Sequence, residues 1–305
     1  MLITLNRLVL LIITSSIIIS CNGQGKPLPK VTSSSPMSIG EIVTELDNQI
    51  WKIFQDSKDN YWFGSNGEGV YHYDGKTLRQ ITTADGLVNN SIRGFQEDKH
   101  GNIYIETPDG ISKFDGETFT TLGVSESTNN QWKLDDNDLW FGYFSNDLYR
   151  YDGDSLIVLT LPRQDLDKAF GIEDFVSKNY SPYDVYGIDK DNEGNMWFGT
   201  ESAGAYRYDG QSFLWFGEKE LSTLLDGRVL AVRSILEDKD RYFWLSNFYS
   251  KYKINPEISK GYEKRKAVDL YEEVVGDKLL YFNSGLSDVE GNLWMTTYGG
   301  SVWKI

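Results

Sequence analysis

The sequence is short of the residues that carry redox, metal and acid–base chemistry. Among 305 residues there is one cysteine, Cys21, and there are two histidines, His72 and His100. One thiol allows no internal disulfide, so a folded domain must be held by its core. Basic charge is also scarce: 30 Lys and Arg stand against 45 Asp and Glu, a net charge of −15. That balance argues against nucleic acid and anionic membrane surfaces as partners. Long hydrophobic runs are missing beyond the first twenty residues, so no internal membrane span is expected. No Ser-His-Asp order, H-E-x-x-H pair or Gly-rich phosphate loop occurs. No cofactor and no metal are implied.

What the chain has instead is a repeat. Asn60-Tyr61-Trp62-Phe63-Gly64 is followed by Tyr71-His72-Tyr73-Asp74-Gly75. Asn195-Met196-Trp197-Phe198-Gly199 is followed by Tyr206-Arg207-Tyr208-Asp209-Gly210. Six copies align on the aromatics Trp62, Tyr104, Trp140, Trp197, Trp244 and Trp294. Repeats of this length built only of short strands predict an all-β, six-bladed β-propeller of four-stranded antiparallel sheets over residues 39–305. The longest interval carries a candidate helical insert, Gln164 to Lys178.

In the first copy, strands are expected at 50–54, 61–65, 70–73 and 77–81. Asp74-Gly75 reads as a two-residue hairpin turn, repeated at Asp115-Gly116, Asp152-Gly153 and Asp209-Gly210. The chain stops at Ile305 after the third strand of the sixth copy. The segment from Ile39 to Leu46 is therefore expected to supply the missing fourth strand and close the last blade.

The pattern resembles the two-component regulator propeller repeat. The resemblance is strong in copies 1 and 4. Copy 5 lacks the glycine after Trp244-Leu245, and copy 2 has Tyr104-Ile105-Glu106 for Trp-Phe-Gly. In that family such repeats commonly form the periplasmic sensor of membrane-bound histidine kinases. The resemblance implies fold and compartment; this sequence contains no kinase or response-regulator region.

The first residues read as a targeting segment. Arg7 precedes a mostly apolar run from Leu8 to Ile19, which ends in Ile18-Ile19-Ser20-Cys21. This looks like a bacterial lipoprotein signal, 1–20, with Cys21 as the lipidated first residue. Residues 21–38, rich in Gly, Pro, Ser and Lys, read as a flexible tether. The expected place is the cell envelope, anchored by lipid, in the outer membrane facing the periplasm or cell surface.

Candidate chemistry is thin. His72 occupies a repeated basic position shared with Lys113, Arg150, Arg207, Lys253 and Lys304, which points to a structural role. His100 sits in a turn. The acidic turns, Asp189 to Gly194 above all, offer oxygens that could ligate Ca²⁺, yet Asp and Asn also build turns unaided. The repeated Trp residues are expected to pack between sheets. Innermost strands border the channel of a propeller, and there the aligned positions vary: Trp51, Arg93, Trp132, Tyr186, Arg233 and Asn283. These are the candidate ligand-binding residues. The following positions, Lys52, Gly94, Lys133, Gly187, Ser234 and Ser284, are mostly small.

The expected role is a non-catalytic, sensor-like module that binds a protein, peptide or glycan partner. The alternative is a lyase or hydrolase acting on a sugar or lactone at the propeller mouth. The sparse acid–base inventory favours the first.

Overall fold

The computed structural model describes residues 38–125, 132–142, 147–170, 181–221, 231–267, 281–288, 290–297 and 302–305. Residues 1–37, which hold the signal segment, Cys21 and all of the tether except Ser38, lie outside the described residues. Residues from Ser38 to Ile305 form one unit, a six-bladed propeller of small sheets. Among the described residues, no helix is long and apolar enough to cross a membrane.

Blade 1 holds β1 (Glu41–Val43), β2 (Ile50–Gln55), β3 (Tyr61–Ser65), β4 (Val70–Tyr73) and β5 (Leu78–Ile81). Blade 2 holds β6 (Gly94–Glu97), β7 (Ile103–Thr107), β8 (Gly110–Phe114) and β9 (Phe119–Thr121). Blade 3 holds β10 (Val124–Ser125), β11 (Leu139–Phe141), β12 (Leu148–Tyr151) and β13 (Leu156–Leu159). A short helix, α1 (Leu166–Phe170), falls within the expected insert; residues 171–180 lie outside the described residues. Blade 4 holds β14 (Val185–Lys190), β15 (Met196–Thr200), β16 (Ala205–Tyr208) and β17 (Phe213–Phe216). Blade 5 holds β18 (Ile235–Glu237), β19 (Phe243–Leu245), β20 (Ser250–Ile254) and β21 (Tyr262–Lys266). Blade 6 holds β22 (Phe282–Ser287), β23 (Leu293–Thr297) and β24 (Val302–Lys304).

The closing strand differs from expectation. β1 pairs antiparallel with β5, in the register Glu41 to Gln80 and Val43 to Leu78, and makes blade 1 five-stranded. Arg79 Nη1 donates to the Gly40 carbonyl at 3.0 Å and fixes the start of β1. Blade 6 keeps three strands among the described residues. The nearer free edge wins for an entropic reason. Pairing with β5 closes a loop of about 35 residues, whereas pairing with β24 closes one of about 250. Removing residues 38–44 is therefore expected to cost on the order of 1 kcal/mol, because β1 is short and mostly exposed. A melting curve that collapsed on this truncation would contradict the assignment.

Blade 3 departs too. Trp132 to Asp135 form no strand, and β10 instead pairs parallel with β13 on the outer edge.

The Asp-Gly turns are four-residue loops, not two-residue ones. Tyr73 pairs with Leu78, leaving Asp74 to Thr77 as the loop. Asp74 Oδ1 accepts from the backbone N–H of Lys76 and of Thr77 at 2.9 and 2.7 Å. The same carboxylate clamp recurs at Asp115, Asp152 and Asp209. Gly75, at φ 86°, takes the left-handed conformation that the loop requires.

The glycine of Trp-Phe-Gly has a different task. A Cβ on Gly199 would lie 2.1 Å from the Val232 carbonyl oxygen, and one on Gly64 would lie 2.6 Å from Ile92. The chain entering the next blade passes directly over this glycine.

Blades pack face to face. Trp62 of blade 1 meets Phe95 and Phe114 of blade 2. Tyr104 and Ile111 join Phe141 and Tyr149 between blades 2 and 3. Trp140 joins Phe198 between blades 3 and 4, Trp197 joins Phe243 between blades 4 and 5, and Trp244 joins Phe282 between blades 5 and 6. These five repeated aromatics thus face the following blade.

Candidate functional site

Behind the inter-blade aromatics the acidic turns are fully employed. Asp56 Oδ2 accepts from Trp62 Nε1 at 2.9 Å, and Oδ1 accepts from the N–H groups of Lys58 and Asn60. Asp191 does the same for Trp197, and Asp238 for Trp244. In blades 4 and 5 the basic residue opposite the aromatic completes the unit. Arg207 Nε donates to Asp191 at 3.0 Å, and Lys251 Nζ lies 3.1 Å from Asp238. In blade 5 the residue paired with Trp244 is Lys251, not Lys253 as the alignment suggested. The connection there is shorter: Lys251 follows Trp244 by seven residues, where Arg207 follows Trp197 by ten. Asp191, the best calcium candidate, is held by Asn195, Trp197 and Arg207, so its oxygens are committed to the fold. Among the described residues, no group of three or more His, Cys, Asp or Glu is placed to hold a metal ion.

His72 belongs to the same unit. It is buried, with its ring centroid 4.4 Å from that of Trp62. Burial pushes its imidazole below the usual range, with Asp56 and Asp74 pulling the other way. A neutral, sealed ring has no access to a substrate. His100 lies exposed in its turn, its backbone N–H donated to Asp98 Oδ1.

The first-strand residues are only partly brought together. The Arg93 guanidinium lies over the Trp51 ring at 4.8 Å, and Arg93 Nη1 donates to Asn66 Oδ1 at 3.1 Å. The Arg233 guanidinium lies over the Tyr186 ring at 4.5 Å. In both stacks an aromatic of one blade carries an arginine of the next. Trp51 is exposed, and Arg233 Nε is buried without a hydrogen-bond partner. Asn283 is exposed and accepts from Thr296 Oγ1 at 2.8 Å. Trp132 stands apart. Its ring packs among Trp140, Phe198, Tyr208 and Phe213 between blades 3 and 4. That packing removes it from the mouth.

Three charged side chains complete the channel, and the sequence marked none of them as channel residues. Lys52, one residue inside Trp51, is pushed below the usual lysine range by burial. Glu106 and Asp189 oppose that shift, and Arg233 and Arg93 reinforce it. One lysine therefore feels charges from blades 2, 4 and 5, as a residue reaching into a central channel must. Glu106 stands where blades 1, 3 and 4 have glycine, and its Oε1 accepts from Gly142 N at 2.8 Å. The break in the Trp-Phe-Gly pattern was the available signal for it. Asp189 accepts from Ile235 N at 3.2 Å, and burial raises its carboxyl to about 7.

Asp189 makes stability pH-dependent. Its folded value of about 7 lies above the ordinary 3.8. Between the two, the folded chain holds a proton that the unfolded chain releases. This contribution is complete below about pH 4 and is lost as pH rises through about 7. Asp189→Asn is expected to stay closer to its acid-side melting temperature between pH 5 and 8 than the parent chain. Parallel melting curves for the two would contradict the buried carboxyl.

Comparison with known proteins agrees with this architecture. The model of the two component regulator propeller matches residues 44–67 and 179–202. No curated protein sequence matches the chain. Among solved structures, the chain is similar to the extracellular domain of the putative hybrid two component system BT3049 from B. thetaiotaomicron. The TM-score is 0.58 at 18% identity, over 84% of this chain and 33% of that one. It is also similar to virginiamycin B lyase from Staphylococcus aureus, with TM-score 0.52 and 11% identity over 87% of this chain and 86% of the lyase. PorZ, a surface component of the type-IX secretion system of Porphyromonas gingivalis, gives 0.52 and 16% over 84% and 38%. The chain thus spans about a third of the extracellular domain that it resembles. At these identities the likeness is one of fold. The two matched segments lie in blades 1 and 4: they are similar to the two component regulator propeller, and the chain around them folds as a propeller of six sheets.

Proposed function

We propose that this chain is a lipid-anchored binding module of the cell envelope, and that it holds its ligand at the channel mouth where the first strands begin. The observation that carries this reading is the pair of arginine–aromatic stacks, Arg93 on Trp51 and Arg233 on Tyr186. A flat apolar surface beside a fixed guanidinium suits a peptide or glycan that carries hydrogen-bond acceptors or an anionic group. Arg233, whose guanidinium lies over the Tyr186 ring, gives such an acceptor a cationic partner. Lys52 behind the mouth adds positive potential within a chain of net charge −15. Kinship with extracellular sensor domains supports a compartment outside the cytoplasm. His72 is sealed by burial and so supplies no acid or base to the lyase or hydrolase alternative.

A test uses the full chain carrying Cys21→Ser, so that it is recovered without lipid. Isothermal titration against a panel of soluble acidic and neutral oligosaccharides and peptides should find a ligand. Arg93→Ala with Arg233→Ala should abolish that binding with the circular dichroism spectrum unchanged. Retained binding in the double variant would sink the mouth assignment. Anchoring has its own test: the native chain should incorporate radiolabelled palmitate and lose it on Cys21→Ser, and an unlabelled native chain would refute the anchor.

A further inference from the structure

Between blades 3 and 4 a cavity of about 260 Å³ opens on the end of the ring where the first strands begin. β12 and β14 start there and β13 ends there. Asp147, Thr160 and Asp184 thus reach one place from three separate strand ends. The volume falls below the roughly 300–1,000 Å³ of pockets for drug-sized ligands, so it admits one small ring. Leu148, Leu161 and Val185 lie buried beneath it in the core between the blades. What a ligand meets is therefore polar: Asp147, Thr160, Arg163, Ser181 and Asp184.

These groups are held in place by the fold. The Arg163 guanidinium lies over the Tyr183 ring at 4.1 Å. Tyr183 Oη accepts from Gln164 N at 2.7 Å and donates to the Gln164 carbonyl at 3.0 Å. Tyr206 Oη donates to the Pro162 carbonyl at 2.9 Å, so the chain is pinned on both sides of Arg163. Across the cavity, Asp184 Oδ2 accepts from Ser181 N at 3.1 Å, and Asp184 N donates back to the Ser181 carbonyl at 3.0 Å. The Pro182 carbonyl between them accepts from Ser202 and Ala203. Asp184 is only 3% exposed. One N–H uses one of the roughly four acceptor positions of a carboxylate.

The charges select the ligand. Burial raises the Asp184 carboxyl above the usual range; the Ser181 N–H opposes that rise, Asp147 adds to it and Arg163 opposes it. Two carboxylates and one guanidinium therefore act on one point. An anionic ligand meets the carboxylates, and a cationic one meets Arg163. Hydroxyl groups both donate and accept, so vicinal hydroxyls satisfy the carboxylates and the guanidinium together without adding charge.

We infer that this cavity is a subsite for a single neutral sugar ring, whose vicinal hydroxyls bridge the Asp147 and Asp184 carboxylates and the Arg163 guanidinium. It stands apart from the arginine–aromatic stacks of the mouth and does not depend on them. One ring held by a few hydrogen bonds binds with a Kd on the order of millimolar. It is therefore read by ligand-observed NMR and stays silent in the titrations that locate a ligand at the mouth.

The test is saturation-transfer NMR on the full chain carrying Cys21→Ser, with free glucose, galactose, mannose, galacturonate and glucosamine. A neutral hexose should bind, with the acidic and the amino sugar weaker by about tenfold. Asp147 and Arg163 are exposed, so Asp147→Asn and Arg163→Gln leave the fold intact. Each should weaken the neutral hexose about tenfold. Arg163→Gln should also turn the preference towards glucosamine, because the opposing cation is gone. Arg93→Ala with Arg233→Ala should leave the hexose bound; its loss there would place the sugar at the mouth and overturn the subsite. A parent chain that binds no neutral hexose, or prefers a charged sugar, would overturn it too. So would an affinity indifferent to both Asp147→Asn and Arg163→Gln. None of these failures bears on the ligand of the mouth, which is measured separately.

Discussion

Replacing Trp197 by alanine is expected to destabilise the chain by about 3–5 kcal/mol, lowering the melting temperature by about 10 °C. The size follows from its position. Trp197 is fully buried, stacks on Phe243 at 4.3 Å and Phe216 at 5.0 Å, and ties Asp191 through Nε1 at 3.0 Å. Alanine leaves a cavity between blades 4 and 5 and removes a donor from a carboxylate that also holds Arg207 and Asn195. Trp197→Phe keeps most of the apolar contact and loses only the N–H, so it should cost about 1–2 kcal/mol. Chemical denaturation of the two variants separates packing from hydrogen bonding. A loss below about 1 kcal/mol for alanine would mean that blades 4 and 5 are not packed through this ring.

The second large effect concerns blade 3. Arg150 Nη1 meets Asp138 Oδ2 at 2.5 Å, with both side chains only 3% exposed. A buried ion pair contributes little over an apolar pair of the same shape, but breaking it strands a charge. Arg150→Met and Asp138→Leu alone are each expected to cost about 3–5 kcal/mol. The double variant should recover much of that loss, because no unpaired charge then remains. Arg150 Nε is already buried without a partner, so the pair is incompletely satisfied to begin with. A double-mutant cycle with additive losses would show that the two charges act independently.

The two sites differ in how far the sequence announced them. Trp197 was legible because a repeat reports its own packing: an aromatic recurring once per unit must do the same job in each unit. Asp138 was not, since it stands outside the repeated Asp-x-x-x-Asn spacing. The same contrast runs through the mouth. Arg93, Arg233, Trp51 and Tyr186 were readable as variable positions on aligned inner strands. Trp132 aligned with them but turned into the core, where four aromatic rings offer more apolar contact than the channel does. That Lys52, Glu106 and Asp189 meet was not legible, because their meeting depends on how six sheets converge on an axis.

By itself the sequence determined the sheets. The spacing of Trp-Phe-Gly and Asp-Gly carries strand order, turn position and the face that each blade turns to the next, since all of these are local and repeat. Tertiary structure alone decided three things. It gave β1 to blade 1 and not to blade 6, because chain entropy favours the nearer edge and pattern does not record distance along the chain. It placed Lys52 among charges from blades 2, 4 and 5, because a channel exists only once blades surround it. It left Leu286, Trp294 and Ile53 exposed, because a face is bare or covered according to the sheet beside it, which strand pattern does not record.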